Sequence, residues 1–166
     1  EADIKKYESQ NKTGNKVLDT VLTTKSLYCA KHNITFTCVA DGTLLGFMEV
    51  MDTAVLFGNA LDNAIECELK IPDKAKKGLI TSGLKTEKLS ASPFENYYDT
   101  ELNYQGGALI TTKRDKEFHG YGLKSIRYTV NKYDGAVSID TKENWFDLKI
   151  LIPVSENAQK QIDKIV

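Results

Sequence analysis

One segment constrains the fold more than any other. Residues 49–70 carry a long helical period that Pro72 and Asp73 bring to a stop. Met51, Val55, Gly58, Leu61 and Ile65 recur at spacings of 4, 3, 3 and 4 and predict an apolar stripe. Asp52, Asn59, Asn63 and Glu66 recur at 7, 4 and 3 and predict a separate polar stripe. A helix with two such sides lies across another layer of structure, with its polar edge left open.

The rest of the chain supplies that layer. A helical period starts after Asn15, which is placed to cap it, with Val17, Leu18, Val21, Leu22 and Leu27 or Tyr28 inward, and ends near Lys31-His32-Asn33. ITFTCVAD at 34–41 alternates as a strand, with Ile34, Phe36, Cys38 and Ala40 on one side and Thr35, Thr37 and Val39 on the other. Asp41-Gly42 starts a turn. Residues 79–92 are expected to form a strand by position, although they alternate weakly and Pro93 forbids one ladder bond. Residues 97–118 are polar, contain Gly106-Gly107 and a charged run from Lys113 to Glu117, and predict a long mobile loop. A helix is expected over 120–134, with Leu123, Ile126, Val130 and Tyr133 on one face and Asp134-Gly135 closing it. AVSIDT at 136–141 and WFDLKILIP at 145–153 predict a hairpin, and Ser155 is placed to cap a short helix over 155–166. Strands and helices mix without regular βαβ alternation. The fold class this predicts is α+β: a two-layer sandwich with helices on one face of a mixed sheet.

Composition removes several functions. A formal charge of −1 lacks the basic surplus that nucleic acid demands. No apolar run spans a bilayer, so no membrane contact is expected of these residues. Cys29, Cys38 and Cys67 are odd in number, lack CxxC spacing and sit among apolar neighbours, as reduced core thiols in the cytoplasm do. The chain opens on EADIKKYESQ without an initiator Met, and residues 1–14 are read as the remnant of an upstream helix and linker.

Neither a GxxxxGK[ST] loop nor a GxGxxG turn after a strand is present. Two other segments carry the chemistry. In FGNALDNAIE at 57–66, Asn59 and Asn63 stand one helical turn apart. Each costs about half a kcal/mol of helix propensity relative to Ala, and an amide oxygen is a neutral hard ligand suited to Mg²⁺ held mainly by phosphates. In HGYGL at 119–123, Gly120 and Gly122 open a helix whose first N–H groups an anion can approach closely.

In this order, separated by a long loop, the two segments resemble the N box and glycine box of the GHKL superfamily of ATP-binding domains. FENYY at 94–98 stands where the intervening box is expected. The likeness is greatest to sensor histidine kinases of the peptide-sensing, quorum-type branch, which TGNKVLDTVLTTKS at 13–26 and KHNI at 31–34 also resemble. The resemblance implies a Bergerat-type ATP-binding domain over 15–154, with a lid at about 97–118. It implies that Asn63 ligates the Mg²⁺ of ATP and that Asn59 lies beside the phosphates. Gly120, Gly122 and Leu123 would border the nucleotide, Asn96 would meet the adenine, and Lys113 of TTK at 111–113 would reach the phosphates. Lys124 and Arg127 are further cationic candidates.

The resemblance also implies partners: ATP, upstream dimerisation helices that bear the phosphoacceptor His, and a response regulator downstream. The cytoplasmic domain would belong to a membrane-anchored parent. Neither His32 nor His119 sits in an acceptor-like context. Two departures stand out. The adenine box has Asn96 where Asp is usual and lacks its glycines, and residues 81–92 lack the apolar face of a central strand. Alternatives on the same fold are a GHKL ATPase, an anti-sigma-type serine kinase and a degenerate interaction module.

Overall fold

The computed structural model describes residues 2–70, 79–85, 90–97, 103–105, 108–110, 119–142, 145–153, 160 and 164. Among the described residues there are four α-helices, α1 (Ala2–Gln10), α2 (Lys16–Lys31), α3 (Val50–Leu69) and α4 (His119–Lys132), and a 3-10 turn at Gly42–Leu45. Five strands form one sheet: β1 (Thr35–Val39), β2 (Leu79–Lys85), β3 (Ser90–Tyr97), β6 (Ala136–Lys142) and β7 (Trp145–Leu151). Two short strands, β4 (Asn103–Gln105) and β5 (Ala108–Ile110), pair separately. The large sheet has the order β1-β2-β3-β7-β6. Only β1 and β2 are parallel among its pairings; the others are antiparallel. This is the expected α+β sandwich with a mixed sheet. Among the described residues no helix is long and apolar enough to cross a membrane.

On β1, β6 and β7, whose side chains are described, one face is covered and the other open. On β7, Phe146, Leu148 and Ile150 are buried, while Lys149 and Leu151 are exposed. On β6, Val137 and Ile139 pack against the core opposite Ile150 and Leu148, and Ser138 and Asp140 face out. On β1, Phe36 and Cys38 turn inward and Val39 outward, as the alternation predicts. α2, α3 and α4 lie on the covered face and complete one core.

Local signals set the helix ends. Asn15 caps α2, its side-chain oxygen accepting from the N–H groups of Val17 and Leu18 at 3.1 and 3.0 Å. At the other end His32 closes the helix and Asn33 adopts a left-handed φ of 56°. Asp134 does the same after α4, at φ 55°. Gly135 then has no room for a side chain, because a Cβ would lie 2.4 Å from the Leu151 carbonyl oxygen.

Four sequence expectations need correction. α3 buries Thr53, Leu56, Phe57, Ala60, Leu61, Ala64 and Ile65, so the apolar stripe is rotated from the one predicted. Met51 is exposed, and a Cβ on Gly58 would meet nothing. Tyr28 is also exposed; its ring stacks on His32, and Ser26 and Cys29 take the inward positions on α2. The weak 79–92 segment is two strands, not one. Pro93 falls where the β3–β7 register shifts, between Ala91 and Phe94, and β2 slips against β3 between Thr81 and Leu84. A strand can tolerate Pro at such a break because no ladder bond is asked of it there. Finally, the predicted loop over 97–118 includes the β4–β5 hairpin, with Gly106-Gly107 between the strands in sequence. The Lys113–Glu117 run and most of the expected 155–166 helix lie outside the described residues.

These contacts predict an order of stability losses in urea denaturation. Asn15→Ala removes two capping bonds and should cost about 1 kcal/mol. Gly135→Ala drives a methyl group against a backbone carbonyl, and should cost more, on the order of 2–3 kcal/mol. A neutral Gly135→Ala would show that this turn is not packed as described.

Candidate functional site

α3 and α4 pack side by side in opposite directions. The C-terminal end of α4 meets the first turn of α3 through a set of polar bonds. Lys132 donates to Asp52 Oδ2 at 2.8 Å and to Glu49 Oε2 at 3.0 Å. The Tyr133 hydroxyl donates to the same Asp52 oxygen at 2.5 Å and accepts from the Glu49 backbone N–H at 3.0 Å. The Tyr133 ring rests edge-on against Phe47. The amine of Lys132 and the hydroxyl of Tyr133, both bonded to Asp52, hold its carboxyl below the usual range. Burial and the nearby carboxylate push the Tyr133 phenol up, and the two carboxylates raise Lys132.

The other end of α4 carries the glycines. A Cβ on Gly122 would lie 4.0 Å from Asn59 Oδ1, so the first Asn of α3 faces the glycine-rich opening of α4 across a gap the missing side chain leaves clear. Gly120 lies earlier in the same opening turn of α4. Asn63 is the next turn along α3 from Asn59, and both are partly exposed. Leu123 packs partly against the core and Ile126 and Val130 fully, which seats the start of α4 beside α3. Lys124 and Arg127 are exposed. Asn96 stands in β3, between Ile80 of β2 and Phe146 of β7 in the register. Lys113 lies outside the described residues. The structure therefore brings Asn59 and Gly122 together, with Asn63 one turn further along α3 and Gly120 and Leu123 flanking Gly122 in α4.

The donor set limits what metal could sit here. Among the described residues, no group of three or more His, Cys, Asp or Glu side chains could hold a metal ion. Two neutral amides beside a glycine-lined helix opening fit a hard divalent cation whose other ligands are phosphate oxygens and water. The cysteines are inert in comparison: none forms a disulfide, and burial pushes the Cys29 thiol up to about 11. His32 hydrogen-bonds through Nδ1 to the Tyr28 carbonyl at the end of α2, a structural role. A groove of about 310 Å³ opens between α2 and α3, with Lys25 and Asp62 paired across it, but none of the candidate residues lines it.

The family model for the GHKL domain matches residues 48–153, from the last turn before α3 to the end of β7. This chain belongs to the GHKL family. Solved structures share the fold. The catalytic domain of the histidine kinase ThkA, in a nucleotide-free form, superposes with a TM-score of 0.57 at 17% identity, over 88% of this chain and 95% of that one. A second crystal form of it gives 0.59 at 18%, over 86% and 93%. The Acinetobacter baumannii histidine kinase AdeS gives 0.55 at 12%, over 84% of this chain and 64% of that one. No curated protein sequence matches. In this GHKL domain the predicted N box and glycine box are the facing segments of α3 and α4.

Sequence reasoning missed Glu49, Asp52, Lys132 and Tyr133 as a unit. Asp52 was grouped with the asparagines and Tyr133 with the apolar face of α4. The two are 81 positions apart, and no local period connects them.

The lowered Asp52 pKa gives a pH dependence with a definite sign. A depressed carboxyl stabilises the fold above its unfolded value of about 4 and loses that contribution as pH falls through its folded value. Wild type should therefore be more stable than Asp52→Asn at neutral pH, with the difference constant above about pH 4 and shrinking below it. Urea midpoints at a series of pH values test this; a difference that grows on acidification would contradict the assignment.

Proposed function

We propose that this chain is the ATP-binding catalytic domain of a bacterial sensor histidine kinase, which passes the γ-phosphoryl group of ATP to a His on dimerisation helices outside these residues. The observation that carries the reading is Asn59 facing Gly122, with Asn63 one turn further along α3. In this reading Asn63, with phosphate oxygens and water, holds Mg²⁺, which neutralises charge on the phosphates when bound. Gly120 and Gly122 let the phosphates approach the free N–H groups at the start of α4. Leu123 seats that opening turn. Asn96 offers an amide oxygen to the adenine amino group and an NH₂ to a ring nitrogen. Lys113 supplies positive charge from the lid over about 97–118.

The residue at 59 favours a kinase over an ATPase. An amide cannot take a proton from water, so ATP held beside Asn59 lacks a general base there. Transfer to a positioned imidazole needs positioning and charge neutralisation more than a base. The segments TGNKVLDTVLTTKS and KHNI, with Asn96 in the adenine box, support the peptide-sensing branch. A response regulator would take the phosphoryl group onward, and the parent protein would be membrane-anchored with this domain in the cytoplasm.

Calorimetry with ATP, in Mg²⁺ and then in EDTA, tests the reading. Tighter binding with Mg²⁺ is expected, and Asn63→Ala should remove the difference. No heat at millimolar ATP would overturn the proposal, and a Mg²⁺ dependence that survives Asn63→Ala would reassign the ligand. Radiolabelled ATP should leave the chain itself unlabelled, because His32 and His119 are not its acceptors. Strong acid-labile labelling of the chain alone would contradict that.

A further inference from the structure

We infer that Asp52, Lys132 and Tyr133 are positioning residues for the nucleotide site, which set the axial register of α4 and so the separation of Gly122 from Asn59. The inference rests on the nucleotide reading above, but its geometry stands apart from it. α4 is held down by Ile126 and Val130, both fully buried. Apolar contact of this kind is non-directional, so it resists lifting the helix more than sliding or turning it. Hydrogen bonds are directional, and between α4 and α3 those described are at one end: Lys132 to Glu49 and Asp52, and Tyr133 to Asp52 and the Glu49 N–H. They grip the first turn of the helix that carries Asn59 and Asn63.

A helix transmits such a constraint because it is stiff along its axis. The rise from Gly122 to Lys132 spans about 15 Å. That is too far for Lys132 to touch phosphates at Gly122, and its amine is already committed to two carboxylates. The clamp therefore acts through α4. At the far end Gly122 directly faces Asn59: a Cβ there would lie 4.0 Å from Asn59 Oδ1, an ordinary contact, so the position of α4 sets the width of the gap between them. A displacement of about 1 Å in a positioned group costs up to a hundredfold in function. The ligand groups that depend on this gap are the phosphates and their metal, not the nucleoside.

The test is a comparison of ligands rather than of stability. Wild type, Tyr133→Phe, Asp52→Asn and Lys132→Arg are titrated with Mg-ATP and with adenosine at neutral pH, under conditions where each variant melts cooperatively. Tyr133→Phe and Asp52→Asn should weaken Mg-ATP roughly tenfold and leave adenosine within about twofold. Lys132→Arg keeps donors for both carboxylates and should retain wild-type affinity for Mg-ATP within about twofold. Should Asp52→Asn fail to fold, Tyr133→Phe, which removes one oxygen atom, decides the outcome. Equal loss for both ligands would mean general damage and would overturn the positioning role, as would no loss for either. Wild type that binds adenosine but not Mg-ATP would overturn the nucleotide reading itself and the inference with it. Wild type that binds Mg-ATP while both variants match it would remove the inference alone.

Discussion

The structure depends on α3 having to satisfy two neighbours at once. One arc of the helix, from Thr53 through Leu56, Phe57, Ala60 and Leu61 to Ile65, is buried in the core. The adjoining edge, from Asp52 through Asn59 to Asn63, stays partly exposed and meets α4. The buried arc supplies the energy. Full burial of one Leu or Phe side chain contributes about 1.5–3 kcal/mol, whereas an exposed ion pair such as Lys132 with Glu49 contributes little because solvent screens it. The polar edge adds direction, since its hydrogen bonds carry an angular preference that apolar burial lacks.

That division of labour suits the candidate residues Asn59, Asn63, Gly120 and Gly122, which stand on helices, while Asn96 stands apart from them on β3. β2 and β3 are the least regular part of the sheet, with register breaks at Thr81/Leu84 and Ala91/Phe94. A constellation built there would inherit those irregularities. α3 and α4 are continuous, seated on Phe146, Leu148 and Ile150 of β7 through the common core, and bonded to each other where the end of α4 meets the start of α3. The glycines at the opening of α4 then stand at a place the fold determines, even though they contribute no packing of their own.

How much was legible in the sequence follows from the range of the interactions involved. Asn15 as a cap, the 34–41 strand, the close of α4 at Asp134-Gly135 and the hairpin of 136–141 with 145–153 depend on residues within a few positions of one another, and the structure has each of these elements. The stripe on α3 is misread because a helix rich in apolar residues on several sides allows more than one stripe of helical period, and the period alone does not choose among them. The stripe through Met51, Val55 and Gly58 leaves out Thr53, Leu56, Phe57, Ala60 and Ala64, all of which the core covers. The Gly106-Gly107 pair between β4 and β5 was a hairpin signal hidden in a polar segment. Of the site, the pairing of Asn59 with the glycine box was legible only through family resemblance. The Asp52–Tyr133 bond was not legible at all, because its partners lie in different helices and each had a plausible local role.

The energetics also show why the chain can keep Asn59 and Asn63 in the middle of its longest helix. Each costs about half a kcal/mol in propensity relative to Ala. Together that is less than the burial of one leucine, and Leu56, Leu61 and Phe57 are all within 1% of complete burial on the same helix. The fold tolerates the two amides without needing them. Replacing either by Ala removes a polar group that is partly exposed, so it leaves no buried donor or acceptor unsatisfied, and it improves helix propensity. Stability therefore moves little or upward while the amide proposed to meet the nucleotide is removed. Loss of nucleotide affinity in such a variant can then be assigned to the amide itself, a separation that substitutions in the buried arc would not allow.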